Sequence, residues 1–207
     1  MIFETPENVL SYRKRIIEKI KPYFYGSTLL DAGCGDGGDS YLLQDYFNSI
    51  YAVDIIKNDN WEKIKSEKIK FLTGNVEKLE FNDNFFDTVI EKDMLHHAEN
   101  PEKALKELIR VSKKRIIVIE ANRFNPIFYI HLTLLNGHQH FSQKKLKKII
   151  KSCSGNFKFI NFSARVCPIN NSFLIKTVNF LSDLIEKLGF LYFFIEYNCA
   201  IIEKNEK

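Results

Sequence analysis

The sequence predicts an α/β fold built on a mostly parallel sheet, and three observations carry that prediction. Short apolar runs of strand length alternate with longer stretches of helical periodicity along the chain. The first strand-like run passes directly into a glycine-rich turn, Gly33-Cys34-Gly35-Asp36-Gly37-Gly38. No internal repeat, low-complexity tract or Pro/Gly/Ser-rich linker interrupts the 207 residues, so residues 1–207 are expected to form a single domain.

A helix over 7–20 sets Val9, Tyr12, Ile16 and Ile20 on one face, and Pro22 ends it. Thr28-Leu29-Leu30-Asp31 reads as a buried strand; the glycine turn follows, then a helix running through Leu42, Leu43 and Phe47. Further strands are expected over 50–54, 69–73, 86–91 and 115–120. Between the last two, Asn100 can cap a helix, Pro101 suits its first position, and Ala104, Leu105 and Leu108 form its inward stripe. Ser142 is a second cap signal, with Phe141 and Leu146 as a hydrophobic staple, for a helix over 143–153. A strand over 157–164, a helix over 171–188 and a long aromatic strand over 190–202 complete the order. In that last helix Phe173, Leu174, Val178, Leu181, Ile185 and Leu188 recur at helical spacing and are expected in the core. Because it separates the two final strands, the segments 123–141 and 166–189 are expected to cap a substrate site.

Composition narrows the classes. Cys34, Cys153, Cys167 and Cys199 contain no C-x-x-C pair, which fits reduced thiols in a cytoplasmic protein and not a zinc motif or disulfide framework. The start, MIFETPENVL, has no basic segment followed by an apolar one, and no apolar run reaches the ~20 residues of a membrane span. A net charge of +4 does not announce a nucleic-acid partner. Lys144, Lys145, Lys147, Lys148 and Lys151 surround most of a helix and read as its solvated face. A soluble protein is expected.

The turn carries the chemistry. Gly33, Gly35 and Gly38 satisfy G-x-G-x-x-G, in which missing side chains let a ligand approach the backbone where a strand turns into a helix. That spacing serves a dinucleotide equally well. Asp31 discriminates: a pyrophosphate at a helix N-terminus is repelled by a nearby carboxylate, whereas the ammonium of S-adenosylmethionine (SAM) is held by one. Asp54, about 20 residues past the turn, can accept both ribose hydroxyls of either cofactor. Taken in order, LLDAGCGDGG, YAVD and TGNVEKLEFNDNFFDTVIEKDMLHHAENPEKALKELIRV resemble the class I SAM-dependent methyltransferases of the small-molecule group, over about residues 29–120.

The resemblance implies a Rossmann-like seven-stranded sheet, mostly parallel with an antiparallel last strand and helices on both faces. It implies that Asp31, Gly33 and Gly35 border the methionine part of SAM and that Asp54 holds its ribose. Ile55 would lie on the adenine ring, Asn75 and Val76 at its edge, and Glu91 and His96 beside the cofactor. Asn75 stands where the family usually has Asp, and its amide oxygen can still accept from the adenine amino group. Ser112-Lys113-Lys114 replaces a common Pro-Gly-Gly turn at the end remote from the cofactor.

Methyl transfer from a sulfonium chiefly requires acceptor and methyl group to be held in line. A general base helps when the acceptor is a hydroxyl or ammonium. His97 after the fourth strand and His138 in Asn136-Gly137-His138-Gln139-His140-Phe141 are the candidates, each with a structural packing role as the alternative. Arg123 is a candidate clamp on an anionic acceptor, against a plain surface role. The His138/His140 pair has no cysteine or carboxylate beside it in sequence and predicts no metal. The expected function is SAM-dependent methylation of a small molecule or a lipid- or sugar-linked acceptor, with O, N or C attack left open. An apolar surface left open would suit an apolar acceptor or a homodimer partner. The competing readings are a NAD-dependent oxidoreductase and a SAM-binding module without catalysis.

Overall fold

The computed structural model describes residues 5–126, 129–130 and 140–204, and the backbone alone of 189–191. Among these, β1 (Thr28–Ala32), β2 (Ser49–Asp54), β3 (Ile69–Thr73), β4 (Phe86–Lys92), β5 (Ser112–Ala121), β6 (Phe157–Phe162) and β7 (Tyr197–Glu203) form one sheet in the order β3-β2-β1-β4-β5-β7-β6. β1 pairs in parallel with both β2 and β4, and β7 runs antiparallel to both β5 and β6. The order reverses between β1 and β4, which opens a crevice at the carboxyl ends of these strands, the usual ligand position of an open α/β sheet.

Successive side chains of each strand feed opposite faces. Leu29, Ile50, Ile90 and Ile117 pack on one side with Ile16, Ile17 and Ile20 of α1 (Glu7–Ile20) and Leu43 of α2 (Gly38–Leu43). Leu30, Val89, Ile116 and Val118 pack on the other with Leu105 and Leu108 of α3 (Pro101–Val111) and Leu146 and Ile150 of α4 (Gln143–Cys153). This period of two, buried on both faces, explains why the middles of the central strands, such as Leu29-Leu30, Val89-Ile90 and Ile116–Ile119, are continuous apolar runs. Both expected caps form: Asn100 accepts from the Lys103 amide at 3.0 Å and Ser142 from the Lys145 amide at 3.2 Å.

Three elements differ from expectation. α2 stops at Leu43, and a turn in which the Tyr46 and Phe47 amides donate to the Leu43 carbonyl carries Phe47 into the core. The aromatic run 190–194 is not strand but a 3-10 turn over Gly189–Phe194. Its exit is pinned by the Asn122 side chain, which donates to the carbonyls of Tyr192 and Ile195, so pairing starts only at Tyr197. The final helix, α5 (Ser172–Lys187), buries Ile175 and Ser182 and leaves Phe173, Leu174 and Leu181 exposed, as is Leu188 just past its end. Ion pairs set this rotation: Arg15 meets Asp183, and Lys19 meets both Asp183 and Glu186 at 3.5 and 2.9 Å, so the polar edge of α5 faces α1.

Candidate active site

A cleft of about 550 Å³ lies at the carboxyl edge of β1, β2 and β4. Its floor is the glycine turn. Gly33 has φ of +81°, and a Cβ there would come within 2.5 Å of the Met94 side chain, so both backbone conformation and space demand glycine. Gly35, at φ +52°, lines the cleft and has open space where a Cβ would stand. The turn is tied down by the Gly33 and Cys34 amides on the Val53 carbonyl and by the Trp61 indole on the Gly35 carbonyl at 2.8 Å. Trp61 is itself stacked on Phe71, with ring centroids 5.2 Å apart.

Asp54 ends β2 inside this cleft, with one carboxylate oxygen 2.8 Å from the Gly35 amide and the other 3.2 Å from the Ile56 amide. A carboxylate offers about four acceptor positions, so two remain for a ligand's hydroxyls. Beyond it, Ile55 and Ile56 present apolar side chains that are 65% and 74% exposed. Asn75 and Val76 form the neighbouring wall, and the Asn75 oxygen accepts from the Glu77 amide at 2.8 Å. The opposite wall is Asp93, Met94 and His97. Asp93 has φ of +54°, a conformation held by its amide on the Ile119 carbonyl and its carboxylate under the Ala121 amide.

Asp31 stands one layer behind the cleft lining, 5% exposed, with the Ser40 hydroxyl donating to its carboxylate. Burial pushes its carboxyl up to about 7 against the pull of that hydrogen bond. Glu91 and His96 also lie behind the lining. Glu91 is fully buried, with one oxygen 3.3 Å from the Met94 and Leu95 amides. His96 Nδ1 sits 2.7 Å from Glu120, and burial lowers the imidazole below its ordinary range. Burial also raises the Glu91 and Glu120 carboxyls well above theirs.

Of the residues singled out in the sequence, the fold brings Gly33, Gly35, Asp54, Ile55, Asn75, Val76 and His97 to one cleft. His138 lies outside the described residues, as do 127–128 and 131–139 of the expected cap. Arg123 is exposed on the surface. Asp93, Met94, Ile56 and Gly74 line the cleft without having been picked out. Their signal was positional: each follows within a few residues of a strand's carboxyl end, where ligands gather.

Sheet order, antiparallel β7 and a cleft floored by glycines beside a strand-ending carboxylate define the class I SAM-dependent methyltransferase fold. A family model described as a methyltransferase domain matches residues 30–119. The chain is 30% identical over 125 residues to sarcosine/dimethylglycine N-methyltransferase of Aphanothece halophytica, covering 54% of this chain and 45% of that protein. It is 27% identical over 136 residues to a ubiquinone/menaquinone biosynthesis C-methyltransferase of Pectobacterium carotovorum, covering 65% of this chain and 52% of that one. The chain thus spans about half the length of these curated relatives. A solved SAM-dependent methyltransferase from Archaeoglobus fulgidus shares the fold with a TM-score of 0.69 at 20% identity, over 96% of this chain and 95% of that one. Residues 30–119 thus match the methyltransferase-domain family, and the chain shares its fold with solved SAM-dependent methyltransferases.

Proposed function

We propose that the chain transfers the methyl group of SAM to a small-molecule or a lipid- or sugar-linked acceptor in the cytoplasm. The observation that carries this reading is Asp54 over the Gly35 amide in a cleft walled by Ile55 and Ile56, which suits a ribose flanked by an apolar-faced ring. In this reading Asp54 accepts from the ribose hydroxyls, Ile55 covers the adenine, and Asn75 and Val76 flank its edge. The Asn75 oxygen keeps a second lone pair for the adenine amino group beyond its bond to the Glu77 amide. Asp31 holds the ammonium, and Glu91 and His96 support the wall from behind.

Bound SAM supplies an electrophilic methyl group on a sulfonium. The glycine turn and Asp54 would hold the cofactor in the cleft, and Asp93, Met94 and His97 form the wall that would border an acceptor held in line with the methyl group. His97 lines the cleft and serves as the base for a hydroxyl or ammonium acceptor, with His138 as the alternative. Residues 123–141 and 166–189 cover the acceptor, with Arg123 available to an anionic one. The exposed apolar face of α5, including Phe173, Phe180 and Leu184, favours an apolar acceptor, and a homodimer through the same face is its alternative use. Four free cysteines suit a reducing compartment. Incubating the protein with methyl-labelled SAM and fractionated cell extract tests the reading. Label should move to a small or lipid-soluble product with equimolar S-adenosylhomocysteine, and binding of SAM without turnover on any fraction would leave a cofactor-binding module instead.

A further inference from the structure

Behind the cleft wall, His96, Glu120 and His140 converge from three separate segments: the turn after β4, the end of β5, and the approach to α4. One ligand-capable atom from each lies within 4.8 Å of the other two. The side chains of His96 and Glu120 are 2% and 0% exposed, and His140 is 6% exposed. His96 Nδ1 is 2.7 Å from Glu120 Oε2, and the rings of His96 and His140 have centroids 4.2 Å apart.

A second observation points to a missing positive partner. The register of β4 on β5 sets Glu91 opposite Val118, so Glu91 and Glu120 project from the same face of adjacent parallel strands. Glu91 Oε2 faces the Met94 and Leu95 amides, while Glu91 Oε1 is buried without a hydrogen-bond partner among the described residues. Two buried carboxylates beside two imidazoles, with buried Asn198 directly opposite Glu120 on β7, form a dense polar group, an arrangement that is costly unless its charge and hydrogen bonds are matched. A divalent cation matches it: two carboxylates cancel its charge and two imidazoles complete its donors.

We propose that His96, Glu120 and His140 form a buried binding site for a divalent transition metal of the zinc class, with Glu91 supplying the second balancing charge. Imidazole nitrogens select zinc-class ions over magnesium or calcium, which prefer all-oxygen shells. Bonds of ~2.0–2.1 Å to a common ion place ligand atoms ~3.3 Å apart, so the three groups close by small side-chain rotations. The metal fastens His140, and with it the start of α4, to the β4–β5 edge under the cleft wall. Nothing in the 96, 120, 140 spacing forms a sequence motif, and the carboxylate missing beside His138 and His140 in sequence is supplied by β5. The site does not depend on the methyl-transfer reading, and SAM titration of the same sample keeps the two separable.

The test uses the full chain, stripped with a chelator and then equilibrated with Zn²⁺ or Co²⁺. The site predicts about one metal per chain by elemental analysis, visible Co²⁺ ligand-field bands, and a melting temperature raised by Zn²⁺. His140→Ala should lose the bands and the Zn²⁺ response, and Glu120→Gln should weaken binding by about tenfold or more. Folded wild-type protein that takes up no stoichiometric metal overturns the proposal, as does full metal retention in His140→Ala. Should the variants fail to fold, histidine ring NMR signals of the wild-type chain decide. Two rings shifting on Zn²⁺ addition support the site, and unshifted rings overturn it.

Discussion

Asp31 and Asp54 are both strand-ending carboxylates beside one glycine turn, yet their surroundings give them different behaviour. Asp54 opens into the cleft, whereas Asp31 is buried under Ser40 with its carboxyl raised to about 7. A carboxyl raised on folding favours the protonated form in the folded state. Its ionisation therefore erodes stability as pH rises from about 4 to about 7, with no further loss above. Holding the SAM ammonium needs the ionised form, so cofactor affinity should rise over the upper part of the same window. At pH 6 about a tenth of Asp31 is ionised, and calorimetry should find SAM roughly tenfold weaker there than at pH 8. Asp31→Asn should flatten this dependence, and a flat wild-type profile would remove Asp31 from the ammonium site. The identity of both carboxylates was legible in the sequence because a local rule, acid at strand end, marks them. Their different burial was not, since Ser40 and α2 arrive from outside that rule.

At the scale of elements, cap chemistry and period decided what could be read. Asn100-Pro101 fixed α3 to the residue because the cap bond is local, from Asn100 Oδ1 to the Lys103 amide. Asn100→Ala should cost about 1 kcal/mol and lower the melting temperature by roughly 2–4 °C, measurable by calorimetry. A larger role is expected at Gly33, where Gly33→Ala forces a side chain into Met94 and against a positive φ. That variant should lose SAM binding before it loses the fold, and unchanged affinity in the folded variant would contradict the place given to the turn. α5 shows where period fails. Its apolar spacing suits several rotations about the helix axis, and the choice among them was made by Arg15 and Lys19 of α1, more than 150 residues away in sequence. The aromatic run before β7 failed for a related reason, since Asn122 captures two carbonyls and turns the backbone out of extended form.

For the whole molecule, the sheet's reversal between β1 and β4 is the feature from which the rest follows. It gathers the ends of β1, β2 and β4 around one cleft, and β7 closes the far side by pairing antiparallel with β5. Motifs over 29–120 exposed this half because each is short and local, while the acceptor side depends on contacts among segments that share no pattern. If 123–141 and 166–189 cover the acceptor, their amides should gain hydrogen-exchange protection when S-adenosylhomocysteine and an acceptor bind. Protection restricted to the glycine turn would count against that cover.

The central claim is that the Asp54 cleft is a SAM site. Isothermal titration of the folded protein with SAM, S-adenosylhomocysteine and NAD, repeated on Asp54→Ala, tests it most directly. Both adenosyl-sulfur compounds should bind and NAD should not, and Asp54→Ala should weaken SAM tenfold or more through lost charge-assisted bonds of ~1.5–3 kcal/mol each. NAD binding as tightly as SAM, or Asp54→Ala leaving the SAM dissociation constant unchanged, would contradict it.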